Sequence, residues 1–172
     1  MDLELFNTAP TDIVGPALQA CCDVPSWVDA VLAARPYDDQ ATVLRTADEA
    51  ARRFTEADVE RALAAHPRIG ERAEGEHAEA AWSRREQAGV STDDATAQAL
   101  AEGNRTYEER FGRVFLICAS GLSADQVLAS LRERLDNDPA TEAAVVADEL
   151  RKIALLRLER VLSADETEEV SA

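Results

Sequence analysis

The sequence predicts an all-α fold, a single-domain bundle of about seven to nine helices. Three observations carry that expectation. Apolar residues recur at the spacing of one helix face through most of the chain. No stretch alternates apolar and polar residues for long enough to build a sheet. Proline, glycine and short capping side chains punctuate the pattern where helices would begin and end. With 172 residues and a 46% apolar composition, the chain can bury a core and reads as one domain, residues 1–172.

The elements follow in order. Apolar residues keep helical spacing over 39–54, and again over 55–65, where Thr55 is placed to cap and Asp58 stands three residues on. His66 precedes Pro67, and a residue before proline is pushed away from the helical region, so that helix ends there. Residues 67–76, with Gly70 and Gly75, form a loop. A short helix covers 79–88 and stops at Gly89. Thr92 starts a longer one, in which Asp93 and Asp94 complement the positive end of the dipole; it runs to about Arg110 and stops at Gly112. Val114 to Ala119 is an apolar run between Gly112 and Gly121 that fits an extended conformation. Ser123, with Gln126 three residues on, caps a helix lasting to about Leu135. Pro139 opens the last helix, which reaches about Leu162 and leaves a frayed acidic tail.

Charge and cysteine usage exclude whole classes of function. Eighteen basic against 34 acidic residues give a net charge of −16. That balance disfavours nucleic-acid backbones and anionic membranes, both of which call for clustered cations. Cys21, Cys22 and Cys118 offer neither a Cys-x-x-Cys pair nor a disulfide framework, so zinc is not expected and the thiols read as reduced. No apolar run approaches the roughly 20 residues of a membrane span, and no secretory signal is visible. The expected location is cytoplasmic.

The chemistry-bearing residues are few. His66 is one of two histidines, and its intrinsic pKa of about 6.5 suits proton transfer near neutrality. A histidine in a last helical turn is also explained by the helix dipole alone. His77 lies in the polar run Glu74-Gly75-Glu76 and reads as solvent-facing. Ser83, Glu86 and Gln87 fall on one side of the next helix, at spacings of three and four. Ser83-x-x-Glu86 also matches a capping box, but residues 79–82 already read as helical before it. In the last helix Val146, Leu150, Ile153 and Val161 form an apolar stripe, and at 100° per residue Arg157 falls in its middle. An inward arginine calls for an anion, either Glu86 or a substrate carboxylate. A guanidinium snorkelling to the bundle edge is the alternative. Trp27 and Trp82 read as core or rim residues.

These residues resemble a known family. His66-Pro67-x-Ile69-Gly70, Ser83-x-x-Glu86-Gln87-x-Gly89, Asn104-x-x-Tyr107-x-x-Arg110-Phe111-Gly112, Phe115-Leu116-Ile117-Cys118-Ala119 and Lys152-Ile153-x-x-x-Arg157-Leu158 stand in the order of the 2-oxo-4-hydroxy-4-carboxy-5-ureidoimidazoline (OHCU) decarboxylases. Arg35-Pro36-Tyr37 matches the family's Arg-Pro-aromatic element upstream. The likeness runs over roughly residues 6–162. Many relatives carry Phe-Pro where this chain has Arg113-Val114.

The resemblance implies an all-helical, cofactor-free enzyme, commonly a homodimer, that converts OHCU to (S)-allantoin at the end of urate degradation. It assigns His66, Glu86 and Arg157 as catalytic. Pro67, Ser83, Gln87 and the main chain at Phe115, Ile117 and Ala119 are implied to line the substrate pocket, with no metal. Other readings are a lyase acting on a related ureido or imidazoline acid, and an acidic helical interaction module of the same fold without activity.

Overall fold

In a computed structural model of the chain, residues 1–64, 66, 68–69, 82, 85–88 and 94–163 are described. Among these residues eight helices have described bounds, residues 82 and 85–86 are also helical, and there is no strand, as the apolar periodicity requires. The eight are α1 (Leu3–Thr8), α2 (Thr11–Cys21), α3 (Pro25–Ala33), α4 (Gln40–Ala51), α5 (Glu56–Leu63), α6 (Asp94–Phe111), α7 (Ala124–Arg134) and α8 (Pro139–Ser163). The helix stop expected at Gly89, the start expected at Thr92 and the acidic tail lie outside the described residues.

The helix boundaries have local causes. Asp39 caps α4 by accepting from the Thr42 amide at 2.7 Å. Thr55 Oγ1 accepts from the Asp58 amide while the Asp58 carboxylate accepts from the Thr55 amide, a reciprocal cap for α5. Gly112 ends α6 at φ +69°, a conformation that costs glycine nothing, with its amide on the Glu108 carbonyl. Ser123 and Gln126 form the expected capping box of α7. Asp138 accepts from the Ala140 and Thr141 amides ahead of Pro139 at the start of α8.

The chain forms two compact units, residues 1–61 with 151–172, and residues 62–150. In the first, Phe6, Val14, Leu18, Trp27, Val31, Val43, Ile153 and Leu158 are core residues. Trp27 is buried and donates its indole N–H to the Ala47 carbonyl at 2.9 Å. The Arg-Pro-aromatic element has a structural task here. Arg35 Nη1 donates to the Phe6 and Ala9 carbonyls, both at 2.9 Å, satisfying acceptors that the end of α1 leaves unmade. Asn7 and Tyr37 exchange side-chain and main-chain hydrogen bonds, and the Tyr37 hydroxyl donates to the Val31 carbonyl. Arg151 pairs with Asp48.

The second unit is built on α6 and α7. Its core gathers Ile69, Leu100, Tyr107, Phe115, Ala119, Val127, Leu128 and Leu131, with Ile117 packed against it. Gly103 lets the two helices approach: a Cβ there would stand 2.6 Å from Leu131 Cδ2. The three cysteines form no disulfide, as expected of Cys21, Cys22 and Cys118.

Candidate active site

His66 stands just past α5, which ends at Leu63, and not in its last turn. The chain is held at the helix end by the His66 amide donating to the Leu63 carbonyl at 3.0 Å. The ring takes a second helix-end acceptor: Nδ1 lies 2.8 Å from the Ala62 carbonyl oxygen. A carbonyl can only accept, so in the neutral imidazole the proton sits on Nδ1 and Nε2 carries the lone pair. Nε2 is shut off from solvent. The imidazole is therefore set in one tautomer with its basic nitrogen inside the protein.

The residues after His66 are tied to α6. Arg68 makes a two-pronged pair with Glu108, Nε to Oε1 at 2.5 Å and Nη2 to Oε2 at 2.9 Å. The guanidinium holds the Glu108 carboxyl below the ordinary carboxylate range. Asn104, one turn earlier on the same helix, donates from Nδ2 to the Ile69 carbonyl at 2.9 Å.

Glu86 is a helical, buried residue and Gln87 is half-buried in the turn that follows. Trp82 is helical, which agrees with a helix already running before position 83, and is half-buried. Pro67, Ser83 and His77 lie outside the described residues.

Residues 114–119 belong to neither helix nor strand, and charged side chains take main-chain groups that a sheet would have paired. Arg134 Nη1 donates to the Leu116 carbonyl at 2.7 Å, and the Cys118 amide donates to Glu149 Oε2 at 2.7 Å. Phe115 and Ala119 are buried and Ile117 is half-buried. Gly121, at φ +81°, closes the segment.

Behind that segment lies a buried polar network. Glu142 accepts from Arg134 Nε at 2.9 Å and Nη2 at 2.5 Å, from the Tyr107 hydroxyl, and from Asn137 Nδ2 at 2.8 Å. Burial alone would raise the Glu142 pKa, but the bonds from Arg134, Tyr107 and Asn137 outweigh it and hold the carboxyl below its ordinary value. Burial, then the bond to Glu142, pushes the Tyr107 phenol up. The Arg134 guanidinium also covers the Phe115 ring, 4.6 Å from its centroid.

Arg157 belongs to the first unit and is 0% exposed, so it does not snorkel. Val146, Leu150, Ile153 and Val161 are all buried, and Lys152 and Glu159 are exposed. His66, Glu86, Gln87, Phe115, Ile117 and Ala119 all belong to the second unit. The sequence reading passed over Asn104 as a side chain with a task, and over Arg134, Glu142 and Glu149 altogether. The stripe arithmetic that singled out Arg157 would have found three of them. Asn104 falls with Leu100, Tyr107 and Phe111, Arg134 with Val127 and Leu131, and Glu142 at the foot of the Arg157 stripe itself.

Comparison with known proteins bears on the family and the fold. The family model described as OHCU decarboxylase matches residues 7–159. The chain is 32% identical over 174 residues to a 2-oxo-4-hydroxy-4-carboxy-5-ureidoimidazoline decarboxylase of Amia calva, covering 97% of this chain and 98% of that protein. It is 30% identical over 149 residues to the uric acid degradation bifunctional protein TTL of Arabidopsis thaliana, covering 84% of this chain but only 46% of that longer protein. A crystal structure of OHCU decarboxylase in the presence of (S)-allantoin superimposes with a TM-score of 0.71 at 28% identity, covering 84% of this chain and 96% of that one. The fold, the motif order and the extent of these matches lead to one conclusion: the chain belongs to the OHCU decarboxylase family.

Proposed function

We propose that this chain decarboxylates OHCU to (S)-allantoin, with His66, Glu86 and Arg157 as its catalytic residues. What carries the reading is the family match over residues 7–159, which takes in all three positions. The substrate supplies its own electron sink, a carbon–nitrogen double bond beside the carbon that bears hydroxyl and carboxylate. Carbon dioxide leaves, its bonding pair becomes a carbon–carbon double bond, and the imine pair moves to nitrogen, which takes a proton. The hydroxyl then loses its proton as its carbon becomes a carbonyl, and the neighbouring carbon is protonated on one face. One carboxylate is replaced by one proton. No cofactor or metal is needed, and the protein's tasks are to orient, to exclude water and to direct protons.

His66 handles the hydroxyl proton through Nε2, a role supported by its Nδ1–H contact with the Ala62 carbonyl. Glu86 and Gln87 hold the ureido and ring nitrogens, and Pro67 and Ser83 line the pocket. The main chain at Phe115, Ile117 and Ala119 lines the pocket. Arg157 grips anionic or carbonyl oxygens with its guanidinium fork. A cytoplasmic homodimer belongs to the same reading, and dialysis against a chelator is expected to leave turnover unchanged.

The test generates OHCU enzymatically from urate and follows allantoin by circular dichroism. Added protein is expected to accelerate the reaction and bias the product to the (S) form. A reaction neither faster nor stereoselective overturns the proposal. His66→Ala and Arg157→Ala are each expected to lower turnover by about 10²-fold or more with the helical spectrum intact. Near-wild-type turnover in either variant removes that residue from the catalytic set.

A further inference from the structure

We propose that Asn104 is a positioning residue for His66: from α6 its carboxamide holds the Ile69 carbonyl, and with it the loop that sets the imidazole. The inference rests on the proposed role of His66. Asn104 is 4% exposed, among the apolar side chains of Leu100, Tyr107 and Ile69. Because the Ile69 carbonyl only accepts, Nδ2 must face it and the orientation of the carboxamide is fixed. Oδ1 is thereby turned to a buried position with no hydrogen-bond partner among the described residues. Burying an acceptor that way is unfavourable. A leucine would remove that penalty at similar volume, and it would release the Ile69 carbonyl.

The loop is tied at both ends. His66 is bonded through its amide and ring to the end of α5, and residues 68 and 69 are bonded to α6. The two α6 ties are unequal. Arg68 and Glu108 are 46% and 26% exposed, so water and salt screen that pair. The Asn104 bond is buried and keeps its strength. Without it the loop is anchored firmly only at its start, and the Nδ1–H contact that selects the tautomer loses its support. A general base displaced by about 1 Å loses rate on the order of 10²-fold.

Asn104→Leu and Asn104→Ser in the full chain test this. Long-range ¹H–¹⁵N spectra resolve both histidines, and His77→Gln identifies the signals of His66. Wild-type His66 is expected to be predominantly Nδ1–H. In both variants the Nε2–H form gains population, kcat for OHCU falls about 10-fold or more and KM stays within about 3-fold. If the leucine variant does not fold, the serine variant decides. Unchanged His66 signals overturn the proposal, whether or not kcat falls, because a loss without them assigns Asn104 to packing or substrate contact. A wild-type protein inactive on OHCU fails the functional reading, while the spectra still decide the Asn104 link.

Discussion

At the residue scale the most consequential feature outside the proposed catalytic set is the Arg134–Glu142 pair. Both side chains are buried, and together they reach Leu116, Phe115, Tyr107 and Asn137. Removing one partner strands the other charge, so Glu142→Gln is expected to cost about 3–5 kcal/mol, measured by urea unfolding. The pH dependence has a definite sign. A carboxyl depressed in the fold contributes stability that is fully present above its unfolded value, about 4.3, and is lost as pH falls through the lower folded value. Unfolding free energy is therefore expected to drop below about pH 4, with a shallower acid limb in Glu142→Gln. Arg157 was legible because a cation interrupts an apolar stripe. Arg134 stands in the run Arg132-Glu133-Arg134, where a charge looks like solvated surface until its phase is compared with Val127 and Leu131. Pairwise partners across distant segments, such as Tyr107 with Glu142, leave no mark on local spacing.

At the element scale, capping chemistry was the most readable signal, because a cap is local. The α5 cap at Thr55, the α7 cap at Ser123 and the α6 stop at Gly112 all stand where side-chain chemistry put them. The first 38 residues gave no such division in the sequence, although α1, α2 and α3 lie there. Two of those helices begin without a side-chain cap, α2 behind Pro10 and α3 behind Val24, so the strongest local start signal is missing. The α6–α7 contact makes a sharp prediction. Gly103→Ala would gain about 1 kcal/mol of helix propensity on an exposed helix. Here the added methyl meets buried Leu131, and overpacking of about 1–3 kcal/mol outweighs that gain. The variant is expected to melt a few degrees below wild type in a calorimetric scan.

At the scale of the whole molecule, the net charge of −16 opposes the approach of an anionic substrate. The Debye length shrinks from about 30 Å at 0.01 M salt to about 8 Å at 0.15 M, which screens the overall field but not a buried guanidinium contact. Over that range kcat/KM for OHCU is expected to rise about 2-fold or more, and a fall would mean that local attraction dominates encounter. The sequence supplies one further convenience. Its two indoles fall one to each compact unit, Trp27 in the first and Trp82 in the second. They differ in surroundings, since Trp27 is sealed in a core and Trp82 is partly wet. Each unit thus carries its own optical reporter. Trp82→Phe leaves a protein whose fluorescence follows the first unit alone through a melt, and its midpoint against that of the helical signal tells whether the two halves come apart together.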